Sequence, residues 1–258
     1  MADRLTRARP RVRALGGPTV VIDHCGLRLV TDPTLDAAGG TYDAGPVTLR
    51  KTEGPAATAK DIGAVTAVLL SHDQHPDNLD TAGRAFLDTV PLVLTTPESA
   101  DRLGGMVVGL PPWRGVHLPC PDGGTLTVTA IPARHGPEGT EVITGAVTGF
   151  LLSGTDAETV YISGDNVDTS VATEVRRRHG DVDVAVLHLG AAQLARTGPA
   201  LLSMNGEQAV RTAKVLGARV VVPVHHDGWA HFTEGREGIV DAFARADRAA
   251  LLAWPEAA

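Results

Sequence analysis

Side chains that can bind a metal ion follow four separate apolar runs in this sequence. The runs are residues 65–70, 126–131, 160–163 and 220–224. The side chains that follow them are His72, His75, Asp77, His135, Asp165 and His225. Imidazole nitrogens and carboxylate oxygens form a donor set suited to Zn²⁺, Mn²⁺ or Fe²⁺. Because no cysteine lies in these stretches, the pattern predicts a divalent-metal site without thiolate ligands.

Each of these residues also has a simpler explanation when it is considered alone. Asp77, just before a predicted helix, is an ordinary helix cap, and Asp165 after a glycine suits a turn. His135 fits a hydrogen-bonded residue at the end of a strand, and His225 with His226 fits a surface pair. Their conjunction favours a shared site, because strands that end at one edge bring the residues that follow them together.

The predicted strands and helices that position these side chains indicate the fold class. Both halves of the chain alternate apolar β-type runs with amphipathic helices, and strands buried on both faces need a layer on each side. We therefore expect an α/β (α+β) protein in which two sheets face each other between helices, as a four-layer αββα sandwich. The whole chain of 258 residues is interpreted as a single domain.

Several local features are also predicted. Residues 1–16 form a polar lead-in, and residues 39–60 form a long irregular loop of the kind that often covers a site. Thr169 caps a helix over residues 171–179, and residues 234–252 form the last helix. A capping box at residues 205–208 opens a further helix that stops at a glycine.

Composition excludes several other classes of protein. The chain has 23 Lys+Arg and 30 Asp+Glu, a net charge of −7, and 43% hydrophobic residues. The acidic balance argues against nucleic-acid and anionic-membrane partners, and no apolar run reaches the ~18 residues of a membrane span. Two cysteines and no secretory signal pattern predict a cytoplasmic protein. No phosphate loop, dinucleotide turn or serine nucleophile elbow is present.

At residues 71–80 the sequence resembles the metallo-β-lactamase fold superfamily of metallohydrolases, and the resemblance extends from about Val20 to about Ala244. The superfamily signature is His-x-His-x-Asp-His followed by a His, an Asp and a last His, to which His135, Asp165 and His225 correspond. Asp32, in Thr-Asp-Pro, resembles the early aspartate that supports the site. Three segments resemble the lactonase-like branch, which includes ascorbate-6-phosphate lactonase. They are the Thr-Asp-Pro segment, the Pro-Ala-Arg-His segment at residues 132–135, and residues 204–210.

Two departures from the signature concern the metal ligands. The spacing His72-x-x-His75 is one residue longer than usual, which a bulge at the strand end would absorb. Asn78 stands where the family usually has a histidine, so the second ion would lose an imidazole, and His226 is a neighbour that could replace it. The resemblance implies one or two Zn²⁺ ions, with Mn²⁺ or Fe²⁺ as alternatives.

The resemblance implies a hydrolase that uses a metal-activated water on an ester, lactone or phosphodiester bond of a small molecule. Asp165 would bridge two ions, and Asp77 would hold the second ion and orient the attacking water. His188, Arg134 and His231 are candidates for substrate contacts. The alternatives are a non-hydrolytic metalloenzyme on the same fold (an iron redox enzyme, a lyase or a cyclase) and a non-catalytic binding descendant. A homo-oligomer remains open.

Overall fold

Two β-sheets face each other in the computed structural model, which describes residues 7–44, 47–195, 198–254 and 256–257. Within these residues the strands are β1 (Arg11–Gly16), β2 (Thr19–His24), β3 (Leu27–Thr31), β4 (Thr41–Ala44), β5 (Val47–Arg50), β6 (Ala67–Leu69), β7 (Val93–Thr95), β8 (Val107–Gly109), β9 (Gly115–Pro119), β10 (Thr125–Ala133), β11 (Val147–Ser153), β12 (Val160–Ile162), β13 (Val184–His188), β14 (Val220–Val224) and β15 (Glu256–Ala257). The helices are α1 (Ala59–Ile62), α2 (Thr81–Leu87), α3 (Pro97–Leu103), α4 (Glu141–Thr144), α5 (Val171–His179), α6 (Gly206–Leu216) and α7 (Arg236–Arg245).

The first sheet has the strand order β15-β1-β2-β3-β6-β7-β8, and the second has the order β14-β13-β12-β11-β10-β9. Strands β4 and β5 form a separate hairpin. Side chains alternate between the faces of each strand. In β2, Val20 and Ile22 face the core between the sheets, whereas Val21 faces outward. In β13, Val186 faces the same inner core and Leu187 faces the outer helices.

Helices cover the outer face of each sheet. Phe86 and Leu87 of α2 pack on the first sheet together with Ile62 of α1. Ala213 of α6 and Phe243 of α7 pack on the second sheet. The four layers are therefore helix, sheet, sheet and helix, which confirms the predicted αββα sandwich.

The strands that carry the candidate ligands end in the same direction. Strands β12, β13 and β14 are parallel, and β10 points the same way because β11 is antiparallel to both β10 and β12. In the first sheet, β3 and β6 are parallel neighbours. The residues that follow these strands are thereby delivered to one edge of the sandwich.

The structure corrects two of the predicted irregular segments. Residues 11–16, predicted as part of a polar lead-in, form β1 and pair antiparallel with β2; residues 1–6 lie outside the described residues. Residues 39–60, predicted as an irregular loop, contain the hairpin β4–β5 and the start of α1. Both segments carry polar side chains on one face, so their pairing is weakly marked in the sequence.

Helix boundaries were predicted well where a capping residue makes its bond. Asn205 and Gln208 form the predicted capping box of α6, and Gly217 ends the helix in the left-handed conformation. For α5 the N-cap is Ser170 rather than Thr169. The predicted last helix is shorter than expected, because α7 ends at Arg245 and a 3₁₀ turn follows at Ala249–Leu251.

Candidate metal centre

Three histidines from two loops point their ring nitrogens at one another. His72 and His75 lie in the loop after β6, and His135 lies just after β10. Nδ1 of His75 lies 2.9 Å from Nε2 of His72 and 3.1 Å from Nε2 of His135. Nitrogens that share a tetrahedral Zn²⁺ at about 2.0–2.1 Å are separated by roughly 3.3 Å. The cluster therefore has the size of a metal site.

The loop after β6 accommodates the longer spacing between His72 and His75. Strand β6 ends at Leu69, and the extra residue lies in this loop rather than in a strand bulge. The hydroxyl Oγ of Ser71 contacts Nδ1 of His72 at 2.9 Å. The sequence analysis missed this role of Ser71, although its adjacency to His72 was the available signal.

Hydrogen bonds leave one nitrogen of each ring free for the cluster. Nδ1 of His135 donates to the carbonyl oxygen of Leu202, so a neutral His135 presents the lone pair of Nε2. The bond between Ser71 and Nδ1 of His72 likewise leaves Nε2 facing His75. Such bonds orient metal-binding imidazoles and select their tautomer. The contribution of Leu202 was invisible in the sequence, because any residue carries a backbone carbonyl.

A second cluster, of two carboxylates and an imidazole, lies beside the first. Single donor atoms of Asp77, Asp165 and His225 lie within 4.8 Å of one another. Asp165 connects the two clusters, since its Oδ1 lies 3.0 Å from Nδ1 of His225 and its Oδ2 lies 3.7 Å from Nε2 of His135. One carboxylate thus offers an oxygen to each cluster.

His225 adopts a backbone conformation that side chains usually avoid. Its φ angle is +58°, and its N–H donates to the carbonyl oxygen of Gly17 at 2.7 Å. A non-glycine residue in the left-handed region costs about 1–3 kcal/mol, and such strain clusters at functional sites. The strain turns the ring of His225 toward the carboxylates at the point where β14 ends.

Unpartnered buried atoms show that this donor set fits a cation. Asp77 Oδ1, both oxygens of Asp165 and both ring nitrogens of His225 are buried and have no hydrogen-bond partner. Buried polar groups without partners are rare because each costs free energy. A divalent ion bound between these side chains would satisfy oxygens of the carboxylates and one of the two ring nitrogens of His225.

The ionisation states of both clusters also suit a metal. Burial, reinforced by His75, holds the pKa of His72 well below its usual value, and burial with the neighbouring His135 lowers the pKa of His75 to about 4. Both rings are therefore neutral at physiological pH and have lone pairs to donate.

In the second cluster, the pKa values of the carboxyl groups are lowered and that of the imidazole is raised. Burial tends to raise the pKa of the Asp77 and Asp165 carboxyls, but the facing imidazoles outweigh burial and hold both below the usual range. Burial tends to lower the pKa of His225, but the charges of Asp165 and Asp77 raise it to about 10. Two buried carboxylates thus draw positive charge to this cluster, which a proton on His225 supplies without metal and which a divalent cation would supply in place of that proton.

Asp32 supports the loop that carries His72 and His75. Its Oδ1 accepts a hydrogen bond from the backbone N–H of Ser71 at 2.6 Å, and its Oδ2 lies 3.0 Å from Nε2 of His188. The ring of His188 lies 5.3 Å from that of His225. Asp32 and His188 therefore link the loop of the first ligand cluster to His225 of the second. His188 is thus a supporting residue of the site.

The structure places the remaining candidates as follows. Arg134 points toward Asp168, with 3.6 Å between Nη2 and Oδ2. His226 packs against the ring of Trp254, 5.5 Å away between ring centres, so it does not stand in for the imidazole absent at position 78. His231 instead approaches the second cluster, with Nε2 3.0 Å from Oδ2 of Asp77.

The αββα fold thus brings two adjacent groups of candidate metal ligands together, and a family comparison identifies the class of protein. The model of the beta-lactamase superfamily domain matches residues 27–226, so the chain belongs to this superfamily, which has the metallo-β-lactamase fold. The structure of an isothiocyanate hydrolase from Delia radicum gut bacteria is similar, with a TM-score of 0.81 and 21% identity over 95% of this chain and 96% of that one.

The chain also has relatives by sequence, one of which is named as a metal-dependent hydrolase. An uncharacterized protein of Mycobacterium tuberculosis is 30% identical over 250 residues, which cover 87% of this chain and 60% of that protein. The chain thus spans about 60% of the length of the curated mycobacterial relatives it matches. A UPF0173 metal-dependent hydrolase of Pyrococcus abyssi is 25% identical over 183 residues, covering 69% and 75% of the two chains.

The same fold also occurs in a protein named for a different chemistry. The structure of CmlA, a diiron β-hydroxylase from Streptomyces venezuelae, aligns with a TM-score of 0.68 and 19% identity over 96% of this chain and 53% of that one. The fold therefore does not by itself select the reaction.

Proposed function

We propose that this protein is a metal-dependent hydrolase that cleaves an ester, lactone or phosphodiester bond of a small molecule with a metal-activated water. The observation that carries the proposal is Asp165, a fully buried carboxylate with unpartnered oxygens that faces three imidazoles on one side and a second cluster on the other. Zn²⁺ is the proposed metal, in one or two copies. Within the superfamily, we propose that the protein belongs to the lactonase-like branch.

The residues of the chain have separable roles in this reaction. His72, His75 and His135 would hold the first ion, and Asp165 would extend one oxygen to each position. A divalent ion held by these residues would lower the pKa of a bound water toward ~7 and would polarise the scissile carbonyl or phosphoryl oxygen. Asp77 Oδ1, which has no hydrogen-bond partner, is the atom available to accept a hydrogen bond from the nucleophilic water.

A second candidate is a non-hydrolytic iron enzyme. Nitrogen and oxygen donors suit iron as well as zinc, and CmlA shows that the fold hosts a diiron hydroxylase. Elemental analysis of the purified protein separates the candidates. Zinc or manganese with turnover of lactones, esters or phosphodiesters supports the hydrolase, whereas stoichiometric iron with no turnover of the panel supports the alternative.

The substitution Asp165→Asn tests the role of the shared carboxylate. We expect loss of bound metal and at least about a 100-fold loss of turnover, with an unchanged far-UV circular dichroism spectrum. Asp181→Asn is the matched control, because Asp181 is half-exposed and pairs only with Arg176 among the ion pairs of the described residues. An Asp165→Asn variant with parental metal content and turnover contradicts the proposal.

Partners and location remain proposals as well. We propose a small-molecule substrate, no nucleic-acid or membrane partner and a cytoplasmic location, with a homo-oligomer open to test by light scattering. None of the helices among the described residues has the length and hydropathy needed to cross a bilayer.

A further inference from the structure

His231 lies against the second cluster from a loop that no strand-end pattern marks. Its Nε2 is 3.0 Å from Oδ2 of Asp77, the same oxygen that lies 3.4 Å from Nε2 of His225. Two imidazoles therefore flank one carboxylate oxygen. Separations of about 3.0–3.5 Å are those of donor atoms that share one ion at roughly 2.0–2.2 Å.

The amide nitrogen at position 78 is engaged outside the second cluster. Asn78 is fully buried, and its amide nitrogen donates to Oγ of Ser71 at 3.3 Å, whereas its Oδ1 has no hydrogen-bond partner. An amide is a weak metal ligand compared with an imidazole. The second cluster thus has two carboxylates and one imidazole, Asp77, Asp165 and His225, and needs a further donor to complete a four-coordinate ion.

The loop around His231 holds its ring in place. The ring of Phe232 lies 4.6 Å from the ring of His231 and 4.6 Å from the ring of His225. The carbonyl oxygen of His231 accepts a hydrogen bond from the N–H of Gln193 at 3.3 Å. Nδ1 of His231 is buried and has no partner. The ring therefore faces Asp77 through Nε2 and makes no hydrogen bond through Nδ1.

We propose that His231 is a protein ligand of the second metal ion and takes the place of the imidazole that is absent at position 78. This inference rests on the proposed metal-dependent function. The second site would then consist of Asp77, Asp165 and His225, whose donor atoms lie within 4.8 Å of one another, and of His231, which reaches it through its contact with Asp77. This set of two oxygens and two nitrogens suits Zn²⁺, Mn²⁺ or Fe²⁺. Its donors come from the loop after β6, from the ends of β12 and β14, and from the loop after β14.

Metal stoichiometry of the full 258-residue chain tests the proposal without reference to turnover. Chelator-treated protein is titrated with Zn²⁺ in a calorimeter, and bound metal is counted after gel filtration. We expect two ions on the parent protein. On His231→Ala we expect an unchanged first ion and a second ion weakened at least about tenfold, because even supporting residues of metal sites change affinity 10–100-fold.

Two further variants separate ligation from other roles. His231→Gln keeps a donor for Asp77 but lacks the imidazole, so we expect it to weaken the second ion as His231→Ala does. His226→Ala removes a neighbouring imidazole that packs on Trp254, and we expect it to bind two ions with parental affinity. Circular dichroism and thermal unfolding of each chelated variant verify that the fold is retained.

Defined results would overturn the inference. These are a second ion that binds His231→Ala within twofold of the parent affinity, parental affinity in His231→Gln, and a parent protein that binds only one ion. A parent that binds no ion removes the proposed function and this inference together. Two ions on the parent, a weakened second ion on His231→Ala and no turnover of any substrate would remove the hydrolase proposal and leave His231 as a ligand.

Discussion

Replacement of Asp32 tests whether the metal-binding loop depends on a buried carboxylate behind it. Asp32 is 1% exposed and serves two buried donors, the N–H of Ser71 at 2.6 Å and Nε2 of His188 at 3.0 Å. In Asp32→Ala both donors lose their acceptor. Each stranded donor costs about 1–3 kcal/mol, so the free energy of unfolding should fall by about 2–6 kcal/mol, a large part of the roughly 5–15 kcal/mol typical of a domain.

Asp32→Asn provides the matched comparison. Its amide oxygen can still accept from Ser71, and its amide nitrogen would face Nε2 of His188. Because Nδ1 of His188 has no partner, the ring proton can move there and leave Nε2 as an acceptor. The bond to Ser71 is then kept, and one ring N–H of His188 is left without an acceptor instead of two donors being stranded, so we expect a decrease of about 1–3 kcal/mol.

Urea unfolding measures both variants, with a chelator present so that metal binding does not stabilise the folded state. The same variants titrated with Zn²⁺ should show the affinity loss that follows displacement of a supporting residue, about 10–100-fold for Asp32→Ala. The reasoning is refuted if Asp32→Ala unfolds within 1 kcal/mol of the parent, or if Asp32→Asn is as unstable as Asp32→Ala.

Three other perturbations address packing and charge away from the metal ligands. Lys51→Met removes the cation from the almost fully buried ion pair with Asp80 at 2.8 Å, although the Asp80 carboxylate keeps its bonds from backbone N–H groups, and should cost about 3–5 kcal/mol in urea unfolding; a loss under 1 kcal/mol would contradict the pairing argument. Burial lowers the pKa of His24 below its usual 6.5, so the contribution of His24 to folding stability is full above pH 6.5 and declines below it, by at most about 1.4 kcal/mol per pH unit. His24→Gln should flatten that decline, and an unchanged slope would show that other groups cause it. Gly83→Ala would place a Cβ 1.7 Å from the carbonyl oxygen of Pro33 and should cost about 3 kcal/mol or more; a loss under 1 kcal/mol would show that α2 shifts freely.

Much of the fold was predictable because local patterns and tertiary structure agree. The strands β10, β12 and β14 and the helix α6 lie where apolar runs and capping residues predict them. The misses share a cause. Strand β1 alternates arginine with small and apolar residues, and the hairpin β4–β5 has turn-like composition, so their strand pairing depends on partners elsewhere in the chain.

The supporting residues were predictable to different degrees. Asp32 was recognised because its Thr-Asp-Pro segment resembles that of the superfamily's early aspartate, and its bond to Ser71 spans 39 residues. The carbonyl of Leu202 lies 67 residues from His135, and any residue type could supply it. Residue types therefore indicate donors and acceptors, but partners that act through the backbone carry no signal in a single sequence.

The amino-acid sequence by itself determined the ligand chemistry: which imidazoles and carboxylates follow strands, and that these donors suit a divalent cation. Only the tertiary structure decided which imidazole reaches Asp77. His226 is next to a candidate ligand in the chain yet packs on Trp254, whereas His231 turns toward Asp77. The physical reason is that strand ends place backbone atoms, but the conformation of each loop after the strand sets where its side chains point.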